Sequence, residues 1–134
     1  ITNALNIALM LEDAPGITVI VTGGTLRHKQ HSLVNPFGSL IINQINADLA
    51  IIGATGIEAE HGVSNVNLVE AEIKSLVIKA ARKTILLCDS SKVGNVSMAK
   101  VADLEAIDLL ITDEQADPGE LARLRERGLE IKVV

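Results

Sequence analysis

Short β-branched runs alternate along this chain with segments whose apolar residues repeat at helical spacing. Such alternation indicates an α/β domain, because a helix between two strands returns the chain to the same end of a parallel sheet. The pattern predicts strands at residues 17–22, 49–52, 84–89, 107–112 and 130–134, and helices from Thr2 or Asn3 to about Leu11, from Asn35-Pro36 to about Ile45, at 67–82 and at 118–127. We therefore expect a mainly parallel sheet with helices on both faces.

The connections are less regular. Residues 53–65 are predicted to form a long loop punctuated by glycines, residues 28–32 a polar loop, and residues 90–96 a loop followed by a short helical segment. One helix start is well marked, since Asn67 followed by Glu70 is the pattern of a capping box. Glu70 is thus interpreted as a cap, or as an i,i+4 partner of Lys74, rather than as an acid or base.

Composition excludes several classes of protein. With 134 residues, 48% of them hydrophobic and 22% charged, the chain fits one compact domain. The mean hydropathy is +0.35, yet no apolar stretch approaches the roughly 18 residues that a membrane span requires. A net charge of −5 and a single aromatic residue, Phe37, argue against direct binding of nucleic acid, which needs clustered cations and stacking rings.

The ends and the cysteine content bear on context. The opening residues, Ile1 to Leu5, contain no initiator Met, no basic segment and no cleavage-type sequence, so they are not interpreted as a signal peptide. We expect one domain over residues 1–134, cut from a longer protein. The single cysteine, Cys88, lies in an apolar strand and is interpreted as a small core residue. Disulfide chemistry is therefore not expected, and a cytoplasmic location is the default.

Three loops that follow predicted strands carry the residues best suited to bind a ligand. They are Thr22-Gly23-Gly24-Thr25, Gly53-Ala54-Thr55-Gly56 and Asp89-Ser90-Ser91-Lys92. Ligands of parallel sheets bind beyond the carboxyl ends of the strands, and glycines let backbone N–H groups approach an anion. Lys92 adds a compact positive charge suited to phosphate. The loops predict a small, oxygen-rich, anionic ligand, although glycines after strands are also ordinary turn residues.

Other chemistry has less support. His28, His31 and His61 do not have the spacing of a metal site, and no metal or cofactor is predicted. The chain contains no G-x-S-x-G motif, no P-loop and no full G-x-G-x-x-G motif, so serine hydrolase, nucleoside-triphosphatase and dinucleotide-binding functions are not indicated. Glu72 lies at the border of a helical apolar stripe, where a surface role and a pocket role are both open.

Taken in order, the motifs resemble the C-terminal effector domain of DeoR-family bacterial transcription regulators. The resemblance runs the length of the chain and depends on the joint order of six short segments, none of them specific alone. They are Thr2-Asn3-Ala4-Leu5-Asn6, Val21-Thr22-Gly23-Gly24-Thr25-Leu26-Arg27, Ile52-Gly53-Ala54-Thr55-Gly56-Ile57, Glu70-Ala71-Glu72-Ile73-Lys74, Asp89-Ser90-Ser91-Lys92 and Ile111-Thr112-Asp113.

The resemblance implies a sensor for a phosphorylated sugar or related metabolite. In the whole protein such a sensor is joined to an N-terminal helix-turn-helix that binds operator DNA, and it acts as a homo-oligomer, commonly as a repressor of sugar metabolism genes. By the resemblance, we expect the DNA reader and the first strand of the domain to lie outside this chain. The ligand-binding residues that the loops and the resemblance predict are Thr22, Gly23, Gly24, Gly53, Ala54, Thr55, Gly56, Glu72, Asp89, Ser91 and Lys92.

The family's fold is similar to that of ribose-5-phosphate isomerase and coenzyme A transferases, which supplies an enzymatic alternative. The isomerase motif that resembles Ile52-Gly53-Ala54-Thr55 has an aspartate at each end, and neither Ile52 nor Thr55 can transfer a proton as a carboxylate does. Asp89, Ser91 and Lys92 match the isomerase's D-x-S-K segment, and Glu72 corresponds loosely to its general base. A sensor is therefore expected rather than an enzyme; an isomerase or acyl-transfer relative and a pure oligomerisation module are the alternatives.

Overall fold

A computed structural model describes residues 1–34 and 37–134 of the chain. These residues form two compact units, Ile1–Ile45 and Asn46–Val134. The larger unit contains the parallel sheet and most of the predicted elements. The smaller unit contains the first helix and the first glycine-rich loop. Within the described residues, no helix has the length and apolar character that a membrane crossing requires.

The larger unit is built on a four-stranded parallel sheet. Its strands are β3 (Ala50–Gly53), β6 (Thr84–Leu87), β8 (Leu109–Thr112) and β9 (Glu130–Val133), hydrogen-bonded in the order β3-β6-β8-β9. All three pairings are parallel. The predicted α/β class is confirmed, and the four strands predicted in this part of the chain are each found within two residues of their predicted ends.

The core lies on one face of this sheet. Alternate strand residues point to opposite faces, and Ile52, Leu86 and Leu110 on one face are all buried, the last two completely. Helices α3 (Leu68–Lys79) and α4 (Pro118–Glu126) contribute Ile78, Leu121 and other side chains to the same cluster. Each fully buried aliphatic side chain of this kind stabilises the fold by about 1.5–3 kcal/mol. Helices α3 and α4 therefore both pack on the core face of the sheet.

The two longer helices begin where their sequences indicate; α4 ends within one residue of its predicted end, and α3 ends at Lys79, three residues early. The Asn67 side chain accepts a hydrogen bond from the N–H of Glu70 at 3.0 Å, so the predicted cap of α3 is confirmed. Asp117 caps α4 through the N–H of Glu120 at 2.8 Å. The helix ends before Gly128, whose φ of 90° is a conformation that other residues rarely adopt.

The prediction of a loop over residues 53–65 is wrong. That segment contains two strands, β4 (Gly56–Glu58) and β5 (Gly62–Asn65), which pair antiparallel and continue to β7 (Ala99–Ala102) in a second, three-stranded sheet. Both β4 and β5 are buried along their whole length, so they lack the alternation that marks a half-exposed strand. Strand β7 was also not predicted, and the short helical segment expected near it is a single 3₁₀ turn, Leu104–Ala106.

The smaller unit departs further from the prediction. Helix α1 (Leu5–Met10) is found, but it starts later than expected, with Ala4 at the N-cap position in place of Thr2 or Asn3. The predicted strand at residues 17–22 is wrong, since in the described part of the chain it makes only one bridge, between Val21 and Thr2. Ile17 and Ile20 are about half exposed there, so the apolar run is not a buried strand.

A hairpin and a short helix complete this unit. Strands β1 (Thr25–Arg27) and β2 (Ser32–Val34) pair antiparallel around the turn that the sequence indicates as a polar loop. Helix α2 (Gly38–Ile42) lies within the predicted helix. The predicted cap at Asn35-Pro36 falls outside the described residues.

The turn between β4 and β5 is organised by one buried carboxylate. Glu58 accepts hydrogen bonds from the N–H of Glu60 at 2.8 Å, the N–H of His61 at 2.9 Å and the Nδ1 of His61 at 2.9 Å. Burial by itself raises the pKa of Glu58, but the bonds from His61 and Glu60 outweigh it and lower the pKa from 4.5 to about 2. The carboxylate therefore stabilises the hairpin in its ionised form.

This turn predicts a specific acid sensitivity. Because the pKa of Glu58 is lower in the folded state, its contribution is complete above about pH 4.5 and is lost as pH falls toward 2. Glu58→Gln should lower the free energy of unfolding by about 1–3 kcal/mol at pH 7, with the difference from wild type narrowing between pH 4.5 and 2.5. Urea denaturation across this range measures it. Glu60→Gln, an exposed neighbour in the same turn, is the control, and stability curves for Glu58→Gln that stay parallel to wild type would contradict the assignment.

Candidate functional site

The carboxyl end of the parallel sheet brings two of the predicted loops together. Gly53, the last residue of β3, lies beside Leu87, the last residue of β6. The next residues also contact each other, since the Cys88 thiol lies 3.9 Å from the carbonyl oxygen of Ala54. Residues 53–56 and 89–92 therefore leave the sheet as neighbours. We call this pair of loops the strand-end site.

Residues Asp89 to Lys92 form a compact polar turn. Ser90–Lys92 is a 3₁₀ helix capped by Asp89, whose carboxylate accepts from the N–H of Ser91 at 2.9 Å and from the Ser91 hydroxyl. The Lys92 ammonium donates to Ser91 Oγ at 3.0 Å and lies 4.0 Å from the Asp89 carboxylate. The hydrogen bond from the Ser91 hydroxyl is the largest of the effects that lower the pKa of Asp89. The positive charge of Lys92 also lowers it. An anion, a hydroxyl and a cation are thus presented side by side.

The loop that follows β8 holds this turn in place. Asp113, which follows β8, accepts hydrogen bonds from the N–H of Ser90 at 2.7 Å and of Gln115 at 2.9 Å. Both hydrogen bonds lower the pKa of Asp113, and the bond from the Ser90 N–H has the larger effect. Asp113 is part of the sequence resemblance but was not predicted as a site residue. Its carboxylate positions the Asp89–Lys92 turn.

Residues 53–56 have less freedom than the sequence suggests. The Thr55 hydroxyl accepts from the N–H of Val66 at 2.9 Å and shares a hydrogen bond with the Ser97 hydroxyl at 2.9 Å. These bonds fasten the loop to the segments that follow β5 and precede β7, so the structure gives Thr55 a structural role. Ala54 is half-buried against the core, and Gly53 is exposed at the sheet edge.

Gly56 is required by a close backbone approach. A Cβ atom on Gly56 would lie 2.3 Å from the carbonyl oxygen of Asn95, whereas a Cβ on Gly53 would lie 3.6 Å from the nearest atom, the carbonyl oxygen of Leu87. Only the first distance is a clash. Gly56 therefore packs two chain segments together, and Gly53 is the glycine of this loop with room for a neighbouring ligand.

The two glycines should respond differently to substitution. Gly56→Ala should lower the free energy of unfolding by about 1–3 kcal/mol, because the Asn95 backbone must shift to admit a methyl group. Gly53→Ala should change it by less than about 1 kcal/mol. Urea denaturation of both variants measures the difference. Equal losses would show that the approach of Asn95 to Gly56 is not what fixes the loop.

Glu72 and the residues near it lie on α3. Glu72 is exposed, while Glu70 and Lys74 are half-buried and share a partner that sequence reasoning missed. This partner is Asn65, which is fully buried at the end of β5. The Asn65 Nδ2 donates to Glu70 Oε2 at 2.8 Å, and Lys74 Nζ donates to Asn65 Oδ1 at 2.9 Å. No local sequence signal marks Asn65, since its burial depends on packing between the second sheet and α3.

The loop containing Thr22, Gly23 and Gly24 lies in the smaller unit. Thr22 is buried and its N–H donates to the Thr2 carbonyl oxygen at 3.1 Å. Gly23 and Gly24 have φ values of 73° and 122°, and a Cβ on Gly24 would lie 2.1 Å from the Val34 carbonyl oxygen. Both glycines are thus needed for the turn that leads into β1.

Residues 1–34 and 37–134 contain no group of three His, Cys, Asp or Glu side chains arranged to hold a metal ion. What the strand-end site offers is a lysine ammonium, a carboxylate, a hydroxyl and a glycine backbone. These groups suit a small ligand that combines an anionic group with hydroxyls.

Comparison with known proteins shows the family of the chain. A sequence profile described as the DeoR C terminal sensor domain matches residues 1–114. The chain belongs to the DeoR C-terminal sensor domain family. The resemblance drawn from the sequence motifs is therefore confirmed, and with it the α/β fold class.

Members of the DeoR regulator family match the chain over nearly its whole length. The HTH-type transcriptional regulator GolR of Listeria innocua is 36% identical over 99% of this chain and 52% of its own length. The HTH-type transcriptional repressor GlcR of Bacillus subtilis is 36% identical over 99% of the chain and 51% of its own length. A putative aga operon transcriptional repressor of Escherichia coli O157:H7 is 32% identical over 99% and 49%. The chain spans about half the length of these curated relatives.

Proposed function

We propose that this domain senses a phosphorylated sugar or a related small anionic metabolite. The observation that carries the proposal is the strand-end site, where Lys92, the Ser91 hydroxyl and the ionised Asp89 stand beside Gly53 and Ala54. The Lys92 ammonium binds the phosphate. Asp89 accepts hydrogen bonds from sugar hydroxyls, and the exposed Gly53 backbone approaches the ligand closely.

The domain acts as part of a longer transcriptional regulator. Membership of the DeoR sensor family and the names of the three relatives support this role. In the whole protein an N-terminal helix-turn-helix binds operator DNA, and the protein works in the cytoplasm as a homo-oligomer that represses genes of sugar metabolism. Ligand binding changes the population of subunit arrangements that place the DNA readers differently, which requires different affinity for the two arrangements.

Sensing is favoured over catalysis. Aldose–ketose isomerisation needs a carboxylate that moves a proton between adjacent carbons. At the two positions where the similar isomerase motif has aspartates, this chain has the buried Ile52 and the internally bonded Thr55. The Asp113 carboxylate is engaged by backbone N–H groups. NMR of aldose phosphates incubated with the protein tests this directly, and a turnover rate that disappears in Glu72→Gln would overturn the proposal of a non-enzyme.

A thermal-shift screen tests ligand sensing. The complete protein is screened against sugar phosphates and the same sugars without phosphate, with Lys92→Ala in parallel. A ligand at 100 times its Kd should add about 2.7 kcal/mol to the free energy of unfolding, a rise of a few degrees in Tm. The account predicts a shift for a phosphorylated sugar, absent for the free sugar and absent in Lys92→Ala.

Lys83→Ala is the matched control for this screen. Lys83 is exposed and directly precedes β6, so it lies at the opposite end of the strand whose carboxyl end leads to Lys92. Its removal changes the net charge equally but should leave the ligand-induced shift intact. A shift that is lost equally in both variants would show a general charge effect and would contradict binding at the strand-end site.

A further inference from the structure

A buried amide holds a second lysine at the end of β5. Asn65 is completely buried, and its side chain is bonded at both ends, to Glu70 through Nδ2 and to Lys74 through Oδ1. A buried amide with partners at both ends has one favourable orientation, because rotation by 180° would exchange its donor and acceptor. Asn65 therefore fixes the position of the Lys74 ammonium, 2.9 Å from its Oδ1.

The backbone on either side of Asn65 is tied to the strand-end site. The carbonyl oxygen of Ser64 accepts from the N–H of Thr55 at 3.2 Å, and the N–H of Val66 donates to the Thr55 hydroxyl at 2.9 Å. Asn65 thus lies between two residues that both bond Thr55. Lys74 is therefore bonded to the residue that lies between the two anchors of Thr55.

The Cys88 thiol reports on the charges around it. Burial raises the pKa of Cys88 and the contact with the Ala54 carbonyl lowers it, while the positive charges of Lys74 and Lys92 lower it and the negative charge of Asp89 raises it. The charges of Lys74 and Lys92 thus both contribute to the electrostatic environment of this one thiol. Lys74 and Lys92 therefore bear on the same end of β6.

The carboxylate of Asp89 weakens the attraction of the strand-end site for an anion, and a second cation would offset it. Lys92 has the Asp89 carboxylate only 4.0 Å away, and a phosphate group that approaches Lys92 also meets that negative charge. A phosphate monoester carries up to two negative charges at neutral pH. One ammonium that is already paired with a carboxylate is a weak site for such a group.

We propose that Lys74 is a second cation of the strand-end site, positioned by Asn65 and Glu70 to bind the anionic group of a phosphorylated ligand together with Lys92. This inference rests on the proposed function and names a further residue of the same site. It also gives the Asn65–Glu70 contact a purpose beyond joining β5 to α3.

The test separates the effect of the Lys74 charge from the effect of its hydrogen bond to Asn65. Lys74→Gln removes the charge but keeps an N–H donor toward Asn65, and Lys74→Arg keeps the charge. Calorimetric titration of the complete protein with fructose 6-phosphate, ribose 5-phosphate and inorganic phosphate should show at least a tenfold higher Kd for Lys74→Gln, a loss of about 1.4 kcal/mol. Lys74→Arg should stay within a few-fold of wild type. Lys79→Gln, in the last turn of the same helix, should bind as wild type does.

The outcomes separate this inference from the proposed function. If wild type binds a phosphorylated sugar and Lys92→Ala weakens binding while Lys74→Gln does not, Lys74 is not a ligand residue and the function stands. If Lys74→Gln only lowers the Tm and leaves Kd unchanged, its role is tethering and the inference is overturned. If wild type binds none of the three probes and no other phosphorylated sugar in the thermal-shift screen, the proposed function fails, and this inference fails with it.

Discussion

The parallel pairing of β3 with β6 is the constraint on which the rest of the site depends. Its register places Gly53 beside Leu87, so the loops that follow the two strands begin side by side. The pairing is stabilised by the backbone ladder and by the buried residues Ile52 and Leu86 on the core face. A slip of one residue would turn those side chains to the opposite face and separate Ala54 from Cys88. Core packing and the geometry of the strand-end site are thus fixed by the same strand register.

Second to this register is a set of polar contacts that turn two loops into a defined surface. Asp113 holds the turn from Asp89 to Lys92 through the Ser90 N–H, and the Thr55 hydroxyl holds the loop over residues 53–56. The Thr55 hydroxyl and the Asp113 carboxylate therefore organise the backbone, and the side chains of Lys92 and Asp89 are partly exposed. Such an arrangement suits a sensor domain, which binds a ligand without transferring protons to or from it.

The sequence predicted the parallel sheet because three of its four strands, β3, β6 and β8, consist mostly of apolar residues in short runs. The prediction was wrong where contacts with distant segments of the chain, rather than the local residue types, determine the structure. Residues 17–22 have the composition of a buried strand but make a single bridge, whereas β5, with the sequence Gly-Val-Ser-Asn, is a strand because neighbours bury it. The candidate site was predicted through strand ends and loop chemistry. Asn65 and the structural roles of Thr55 and Gly56 were not, since each depends on a contact with a distant segment of the chain.

The most direct test of the account is backbone NMR of the protein titrated with a phosphorylated sugar. Amide chemical shifts report where a ligand lies without any substitution that could disturb the fold. We expect the largest shift changes on the N–H groups of Gly53, Ala54 and residues 90–92, at the carboxyl ends of β3 and β6. Changes confined to residues at the amino ends of these strands, such as Lys83, with none at residues 53–54 and 90–92, would contradict it.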